Sequence, residues 1–111
     1  MKQTTLIAAF KAEDEIYKNR IVGCSSNLAV DHTSAATRPI GVAQGDCEIG
    51  RNVDVMLYGV AEIEAGDTIP LGALVGSGTG GRALQASSLD TAVGIALENA
   101  VVGDIVSVLL K

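Results

Sequence analysis

The sequence predicts an all-β protein, a small β-sandwich or barrel made of two related halves, and three observations support this prediction. Residues 6–58 and 59–111 align without a gap at an offset of 53 residues and are identical at 13 of the 53 aligned positions. Both halves end in a segment whose apolar and polar residues alternate, which is typical of a strand. Helix signals are weak, because the acidic stretch of the first half aligns with a glycine and a proline in the second.

The identities between the two halves fall into two blocks that keep one register. Matched glycines imply matched turns, and matched aliphatic residues imply matched core positions. The pattern therefore predicts a duplicated unit whose halves are related by a pseudo-twofold rotation. The blocks pair Ala12, Asp14, Ile16, Val22 and Gly23 with Ala65, Asp67, Ile69, Val75 and Gly76, and Gly41, Ala43, Gly50, Val53, Val55 and Leu57 with Gly94, Ala96, Gly103, Val106, Val108 and Leu110.

At 111 residues the chain is expected to be a single domain: an N-terminal arm at residues 1–5, a first repeat at 6–58 and a second repeat at 59–111. Each repeat is short for independent folding, so we expect the two to share one core. Aromatic residues make up only 3% of the chain, and the core must use smaller Val, Ile, Leu and Ala side chains. Such a core favours additional stabilisation by oligomerisation or docking.

The predicted strands occur in corresponding pairs along the chain. Glycine and proline mark the turns, and residues 8–18 are predicted as strand and turn rather than helix. A hairpin is expected in each half, where a short strand precedes a longer one. Loops with one short strand each are expected at residues 24–38 and 77–92. The strand pairs are 6–10 with 59–64, 16–22 with 69–75, 40–43 with 93–96, and 52–58 with 105–110.

Charge and composition exclude several classes of function. A net charge of -5 with scattered basic residues disfavours nucleic-acid binding. The sequence has no apolar run long enough to span a membrane and no secretory signal, so we expect a soluble, unexported chain. Cys24 and Cys47 have no cysteine counterparts in the second half, and both are expected to be reduced, partly buried thiols.

Residue patterns that suggest catalysis or metal binding are weak. The segment from Gly76 to Gly81 fits G-x-G-x-x-G, but the helix and the rest of a nucleotide-binding unit are missing, which favours a loop. His32 beside Asp31 does not form a triad, since sequence neighbours on an extended backbone point apart. One histidine, two distant cysteines and an acidic turn do not make a metal site. No catalytic residue, cofactor or metal ligand is predicted.

One repeated phrase points to a known family. The chain contains Pro-Ile-Gly-Val-Ala at 39–43, Ile-Gly-Arg-Asn-Val-Asp-Val-Met-Leu-Tyr-Gly-Val at 49–60, Ile-Glu-Ala-Gly-Asp-Thr-Ile-Pro-Leu-Gly at 63–72 and Val-Gly-Ile-Ala-Leu-Glu-Asn-Ala-Val-Val-Gly-Asp-Ile-Val-Ser-Val-Leu-Leu at 93–110. From about residue 16 onward it resembles the small cement, or decoration, proteins of tailed bacteriophage heads. The two cysteines and the charged first turn at residues 11–18 depart from that pattern.

The resemblance implies a non-enzymatic all-β protein, often a homotrimer, bound outside an expanded capsid between capsomers. Its partner would be the major capsid protein, and its location the outer surface of the virion after synthesis in the host cytoplasm. An apolar, β-capable segment follows the N-terminal arm, and such an arm can become ordered on a partner. We therefore predict a capsid contact formed by Met1, Lys2, Gln3, Thr4, Thr5, Leu6, Ile7 and Phe10.

Two other classes of function stay open from the residues themselves. A carrier module of the barrel-sandwich type would also be a duplicated small β fold, but it needs a lysine at an exposed hairpin tip, and no Met-Lys-Met or Asp-Lys-Ala occurs. A small oligomeric enzyme with a site between subunits would have to rely on Asp14, Asp67 or His32.

The thiol prediction can be tested directly. Unfolded protein that has not been reduced should react with a thiol reagent at both Cys24 and Cys47, because a reducing compartment leaves thiols free. Spectrophotometric titration under denaturing conditions counts the reactive groups. A reduced sample serves as the control, and a lower count in the unreduced sample would reveal a disulfide.

Overall fold

The computed structural model describes residues 5–26, 29–32, 39–87 and 92–110, and within these ranges the chain has nine strands, a single turn of 3-10 helix and no α-helix. The all-β prediction is confirmed. The strands are β1 Leu6–Ala12, β2 Ile21–Ser26, β3 Ala29–His32, β4 Pro39–Ala43, β5 Asn52–Glu64, β6 Leu74–Ser77, β7 Ala83–Gln85, β8 Ala92–Ala96 and β9 Ile105–Leu110, with the 3-10 turn at Thr79–Gly81.

The sheet forms two rings of strands that share β5. In the first ring the order is β1–β3–β2–β4–β5, and antiparallel pairing of β5 with β1 closes it. In the second ring the order is β5–β9–β8–β6–β7, and one parallel bridge between Ala65 and Ala83 returns β7 to the end of β5. The sheet is therefore barrel-shaped and nearly closed, with β5 contributing its first half to one ring and its second half to the other.

Backbone pairings recur along the chain at an offset of 53 residues. The corresponding pairs share the same register. The register shift between β2 and β4 after Val22 also recurs between β6 and β8 after Val75. This recurrence supports the proposal that residues 6–58 and 59–111 are two copies of one unit. Examples are Val42↔Met56 with Ile95↔Leu109, Val22↔His32 with Val75↔Gln85, Ile16↔Cys47 with Ile69↔Ala100, and the parallel pair Ala12↔Val30 with Ala65↔Ala83.

Most predicted strands are present, but two begin later than the sequence suggested. The hairpins β4–β5 and β8–β9 are confirmed, and the strands predicted at 52–58 and 59–64 are one continuous strand. The prediction that strands start at Ile16 and Ile69 is wrong, since each forms only an isolated bridge. The reason is that the chain turns before β2 and β6, where Asn19 (φ 64) and Gly72 (φ 84) adopt a left-handed conformation.

Buried residues form two hydrophobic clusters rather than the one shared core that we expected. The smaller cluster consists of Ala12, Ile16, Val22, Ala43, Val53 and Val55, all from the first ring. The larger cluster contains their counterparts from the second ring together with Ile21, Val42 and Met56 of the first. Those three side chains pack the two rings against each other. Matched core positions in the two hairpins imply eight buried side chains, and six of them are buried: Val42, Val53, Val55, Val106, Val108 and Leu110. Leu57 and Ile95 are only half-buried.

Three charged side chains join the two rings. Arg20, just before β2, donates to Glu64 Oε2 at 3.4 Å and to the carbonyl oxygen of Gly80 at 3.1 Å. Arg82, just before β7, donates from Nε to the same Glu64 oxygen at 2.6 Å. The Glu64 amide also donates to the Asn19 carbonyl at 2.9 Å. The hydrogen bond from Arg82 lowers the pKa of the Glu64 carboxyl below its ordinary 4.5, although burial opposes this shift.

The glycines of β4 and β8 lie where no side chain fits. A Cβ at Gly41 would overlap the Met56 carbonyl oxygen, and a Cβ at Gly94 would overlap the Leu109 carbonyl oxygen. Both positions face backbone, which cannot rotate away as a flexible side chain can. This close approach explains why both copies retain glycine here.

We expect Gly41→Ala and Gly94→Ala each to lower Tm by at least about 4 °C, because overpacking against backbone costs roughly 1–3 kcal/mol. Gly45→Ala is the matched control, since no atom lies within 4 Å of its added Cβ. Thermal unfolding followed by circular dichroism measures all three. Equal melting temperatures for all variants would contradict the close packing of these strands.

The Glu64 contacts predict a dependence of stability on pH. A carboxyl whose pKa is lowered by folding contributes fully above its unfolded pKa, and this contribution is lost as pH falls through the lower folded value. Wild type should therefore lose more stability than Glu64→Gln as the pH falls from about 6 to about 3. Urea unfolding across this range tests the difference, with Glu62→Gln as a control because Glu62 is an exposed residue of the same strand. Parallel curves for wild type and Glu64→Gln would refute the expectation.

Candidate functional site

Each ring ends in a pair of loops that we call a tip. The first tip comprises residues 13–19 and 44–51, and the second comprises residues 66–72 and 97–104. In each tip the two loops are joined by reciprocal backbone hydrogen bonds of 2.8 Å, between Ile16 and Cys47 in the first and between Ile69 and Ala100 in the second. These bonds give the two tips matching backbones.

Polar side chains fix both tips further. The Lys18 amide donates to Asp46 Oδ1 in the first tip, and the Leu71 amide donates to Asn99 Oδ1 in the second, each at 2.8 Å. The Val101 amide donates to Asp104 Oδ2 at 3.1 Å. Because side chains from one loop satisfy the backbone of the other, the loops are held in one arrangement.

A shallow cavity opens at each tip, at the same place on the matching backbones. The cavity of the second tip has a volume of about 310 Å³, and that of the first about 350 Å³. The first is lined by Glu15, Ile16, Tyr17, Asp46, Cys47 and Glu48. The second is lined by the six residues that follow these by 53 positions, Thr68, Ile69, Pro70, Asn99, Ala100 and Val101, and also by Asp104.

The two tips differ in chemistry although their backbones match. Around the first cavity, Glu15, Asp46 and Glu48 supply carboxylates, and we call these three residues the acidic rim. Around the second, the corresponding positions are a threonine, an asparagine and a valine. We call four of its exposed apolar residues the apolar rim: Pro70, Leu71 (63% exposed), Val101 (57%) and Val102 (66%). Leu97 of the second tip and Ile49 of the first, the counterpart of Val102, are exposed as well.

The acidic rim affects the ionisation of a neighbouring aromatic side chain. The Glu15 carboxylate raises the pKa of the exposed Tyr17 hydroxyl, while Arg20 opposes this effect. The Arg20 guanidinium lies 5.5 Å from the centre of the Tyr17 ring, within the range of a cation–π interaction. The two tips carry the same net charge of -3, so they differ in where the charged side chains lie and not in total charge.

The predicted capsid contact lies elsewhere, on the first ring. Its residues Met1 to Thr4 fall outside the described residues, whereas Thr5 is exposed and the remaining three belong to β1. Leu6 and Ile7 are 55% and 48% exposed, and Phe10 packs against the smaller cluster. In the described part of the chain, β3 pairs only with Lys11 and Ala12, the last two residues of β1. One backbone edge of residues 6–10 therefore has no strand partner there.

The residues considered for catalysis are not brought together. The Asp14 and Asp67 carboxylates each accept a hydrogen bond of 2.8 Å from the amide of the next residue, as in a turn, and they lie in different tips. His32 ends β3, but its side chain lies outside the described residues. The expectation that both cysteines are partly buried is wrong for Cys24, which is an exposed free thiol, whereas Cys47 is a half-buried one. Over the described ranges, no three His, Cys, Asp or Glu side chains are grouped to hold a metal.

Sequence reasoning missed the tips as candidate surfaces, although a signal was present. The second repeat has Leu71, Leu97 and Val101 where the first has Lys18, Gln44 and Glu48. Comparing the two halves for differences rather than identities would have marked these positions.

Within the described residues, no helix is long and apolar enough to cross a membrane.

Comparisons with known proteins agree with the fold. A family model described as phage cement protein matches residues 1–111. No curated protein matches the chain. Among solved structures, the chain is similar to the N base of head fiber gp8.5 of bacteriophage phi29, with a TM-score of 0.80, 23% sequence identity, and coverage of 97% of this chain and 95% of that one. At this identity the likeness establishes a shared fold.

Proposed function

Because the chain belongs to the phage cement protein family, we propose that it binds the outer surface of an expanded phage head between capsomers and stabilises the shell. The family match along residues 1–111 is the observation that supports this function. The chain is a capsid decoration protein, and we propose the major capsid protein as its partner. Its role is structural, without turnover of a substrate.

The physical basis of such a role is selective binding. Packed DNA repels itself and loads the joints between capsomers of a filled head. A protein that binds the expanded lattice and not the unexpanded one stabilises the expanded state by mass action. The net charge of -5 suits a protein that faces away from the packaged DNA.

We also propose that the protein acts as a homotrimer. The two small clusters, built without large aromatic side chains, favour additional stabilisation from neighbouring copies. The phi29 protein with the same fold is described as the base of a head fiber, which indicates that this fold can occur in a head-attached component. Three linked copies would raise the effective concentration of each weak capsid contact.

The N-terminal arm and β1 are the proposed anchor. One edge of residues 6–10 lacks a strand partner among the described residues, and Leu6 and Ile7 are exposed there. A backbone edge of this kind can pair with a strand of another protein, with alternate side chains filling pockets. The residues of this proposed contact are Met1, Lys2, Gln3, Thr4, Thr5, Leu6, Ile7 and Phe10.

Deleting residues 1–5 should weaken binding to expanded heads at least tenfold, about 1.4 kcal/mol, because it removes part of the proposed capsid contact. The truncated protein should remain folded, with Tm little changed. Co-sedimentation with expanded heads that lack this protein, assembled from the capsid protein of the same phage, measures the affinity.

Asp14→Asn and His32→Ala serve as controls, and both variants should bind within a few-fold of wild type. A structural protein has no turnover that could depend on either residue. If the truncated protein decorates heads as tightly as the full chain, the anchor lies elsewhere. If full-length protein does not bind expanded heads at all, the proposed function itself is refuted.

A further inference from the structure

The apolar side chains of Leu71 and Val101 are not required by the fold. The first tip builds the same backbone with Lys18 at the position of Leu71 and with Glu48 at the position of Val101. Both copies of the tip are held by the same kind of side-chain and backbone bonds, so polar residues are compatible with this conformation. Exposed Leu71 and Val101 therefore need an explanation outside the folding of the chain. Pro70 and Val102 differ from them, because the first tip has exposed Tyr17 and Ile49 at the corresponding positions.

The rim is also well prepared for binding. Its two loops are joined by the Ile69–Ala100 bridge, and the amides of Leu71 and Val101 are held by the side chains of Asn99 and Asp104. A surface that is already ordered loses little conformational entropy when a partner docks. The cavity of about 310 Å³ beside Pro70 and Val101 gives the rim a concave element into which a protruding apolar group fits.

Size and charge together indicate what covers this surface. Four exposed side chains are far fewer than the roughly 20–30 residues a side of a stable interface, so the rim is too small to hold two copies of this chain together by itself. The acidic rim of a second copy is not a suitable partner for the apolar rim either, because burying carboxylates against apolar side chains is unfavourable. A small, weak contact becomes effective when many copies repeat it on one lattice.

We propose that the apolar rim is a second docking site of this protein and that it binds an uncharged apolar patch on the outer surface of the phage capsid. This inference rests on the proposed function. Pro70, Leu71, Val101 and Val102 form the contact, while the acidic rim stays in solvent. Because the contact is apolar, its contribution persists at high salt, where contacts between exposed charges are screened.

The test exchanges the chemistry of the two tips. The double variant Leu71→Lys, Val101→Glu places in the second tip the residues that the first tip already has, and it leaves the net charge unchanged. The reverse double variant, Lys18→Leu, Glu48→Val, is the matched control. Binding to expanded heads lacking this protein is measured by co-sedimentation at about 0.1 M and about 1 M salt.

The Leu71→Lys, Val101→Glu protein should bind at least about tenfold more weakly at both salt concentrations, whereas the reverse variant should bind within about threefold of wild type. Binding of both variants at wild-type strength overturns the rim proposal and leaves the proposed function standing. Absence of binding by wild type overturns the proposed function, and the rim proposal with it.

Two further measurements complete the test. Sedimentation velocity reports the oligomeric state, and a smaller oligomer for the Leu71→Lys, Val101→Glu protein would show that the rim joins copies of this chain, which overturns the proposal. Thermal unfolding reports folding of the variant. If the double variant is unfolded, Leu71→Lys alone decides the question by the same binding criterion.

Discussion

The structure depends on one strand that belongs to two rings. β5 pairs with β1 and β4 through its first half and with β9 through its second half, so neither ring closes without it. Near its midpoint Gly59 has a φ of 123, a conformation that glycine adopts readily and other residues rarely do. The counterpart position in the first repeat is Leu6, where the chain enters a strand instead of continuing one. Gly59 thus lets one repeat run into the next without a linker.

Contacts at the end of β5 then fix how the rings sit together. Glu64 accepts from Arg20 of the first ring and Arg82 of the second, and its amide bonds to the Asn19 carbonyl. The partly exposed ion pairs contribute modestly on their own. These ion pairs mainly fix positions, because they hold the segments that contain Arg20 and Arg82 beside the Glu64 carboxylate at the end of β5. Together with the side chains of Ile21, Val42 and Met56, they make a single body of two small rings.

The match between residues 6–58 and 59–111 made the pairing pattern predictable, because glycines and aliphatic residues recur at the same positions and favour the same strands in both halves. The sequence match could not predict where β2 and β6 begin, since that depends on a left-handed residue before each strand. The two residues, Asn19 and Gly72, occupy corresponding positions but are not identical. The contacts of Glu64 were also out of reach. Arg20, Glu64 and Arg82 align with Ala73, Lys11 and Ala29, so these contacts belong to one copy of each element only. Differences between the two halves mark positions 18/71 and 48/101 in the sequence, but only the structure shows that they lie in tips that each hold a cavity.

The two rings are joined by β5, by the contacts of Glu64 and by packing of Ile21, Val42 and Met56. The open edge of β1 belongs to the first ring and the apolar rim to the second, so the two proposed contacts have no residue in common. Independent contacts on one rigid body add their free energies, and the translational and rotational freedom of the protein is lost only once. If the rings moved relative to each other, the second contact would have to order that motion before it formed. Glu64, which belongs to neither contact, would therefore influence affinity for the capsid, because it holds Arg20 of the first ring and Arg82 of the second. Two similar rings joined by a shared strand can therefore carry different proposed contacts while the strand fixes the distance between them.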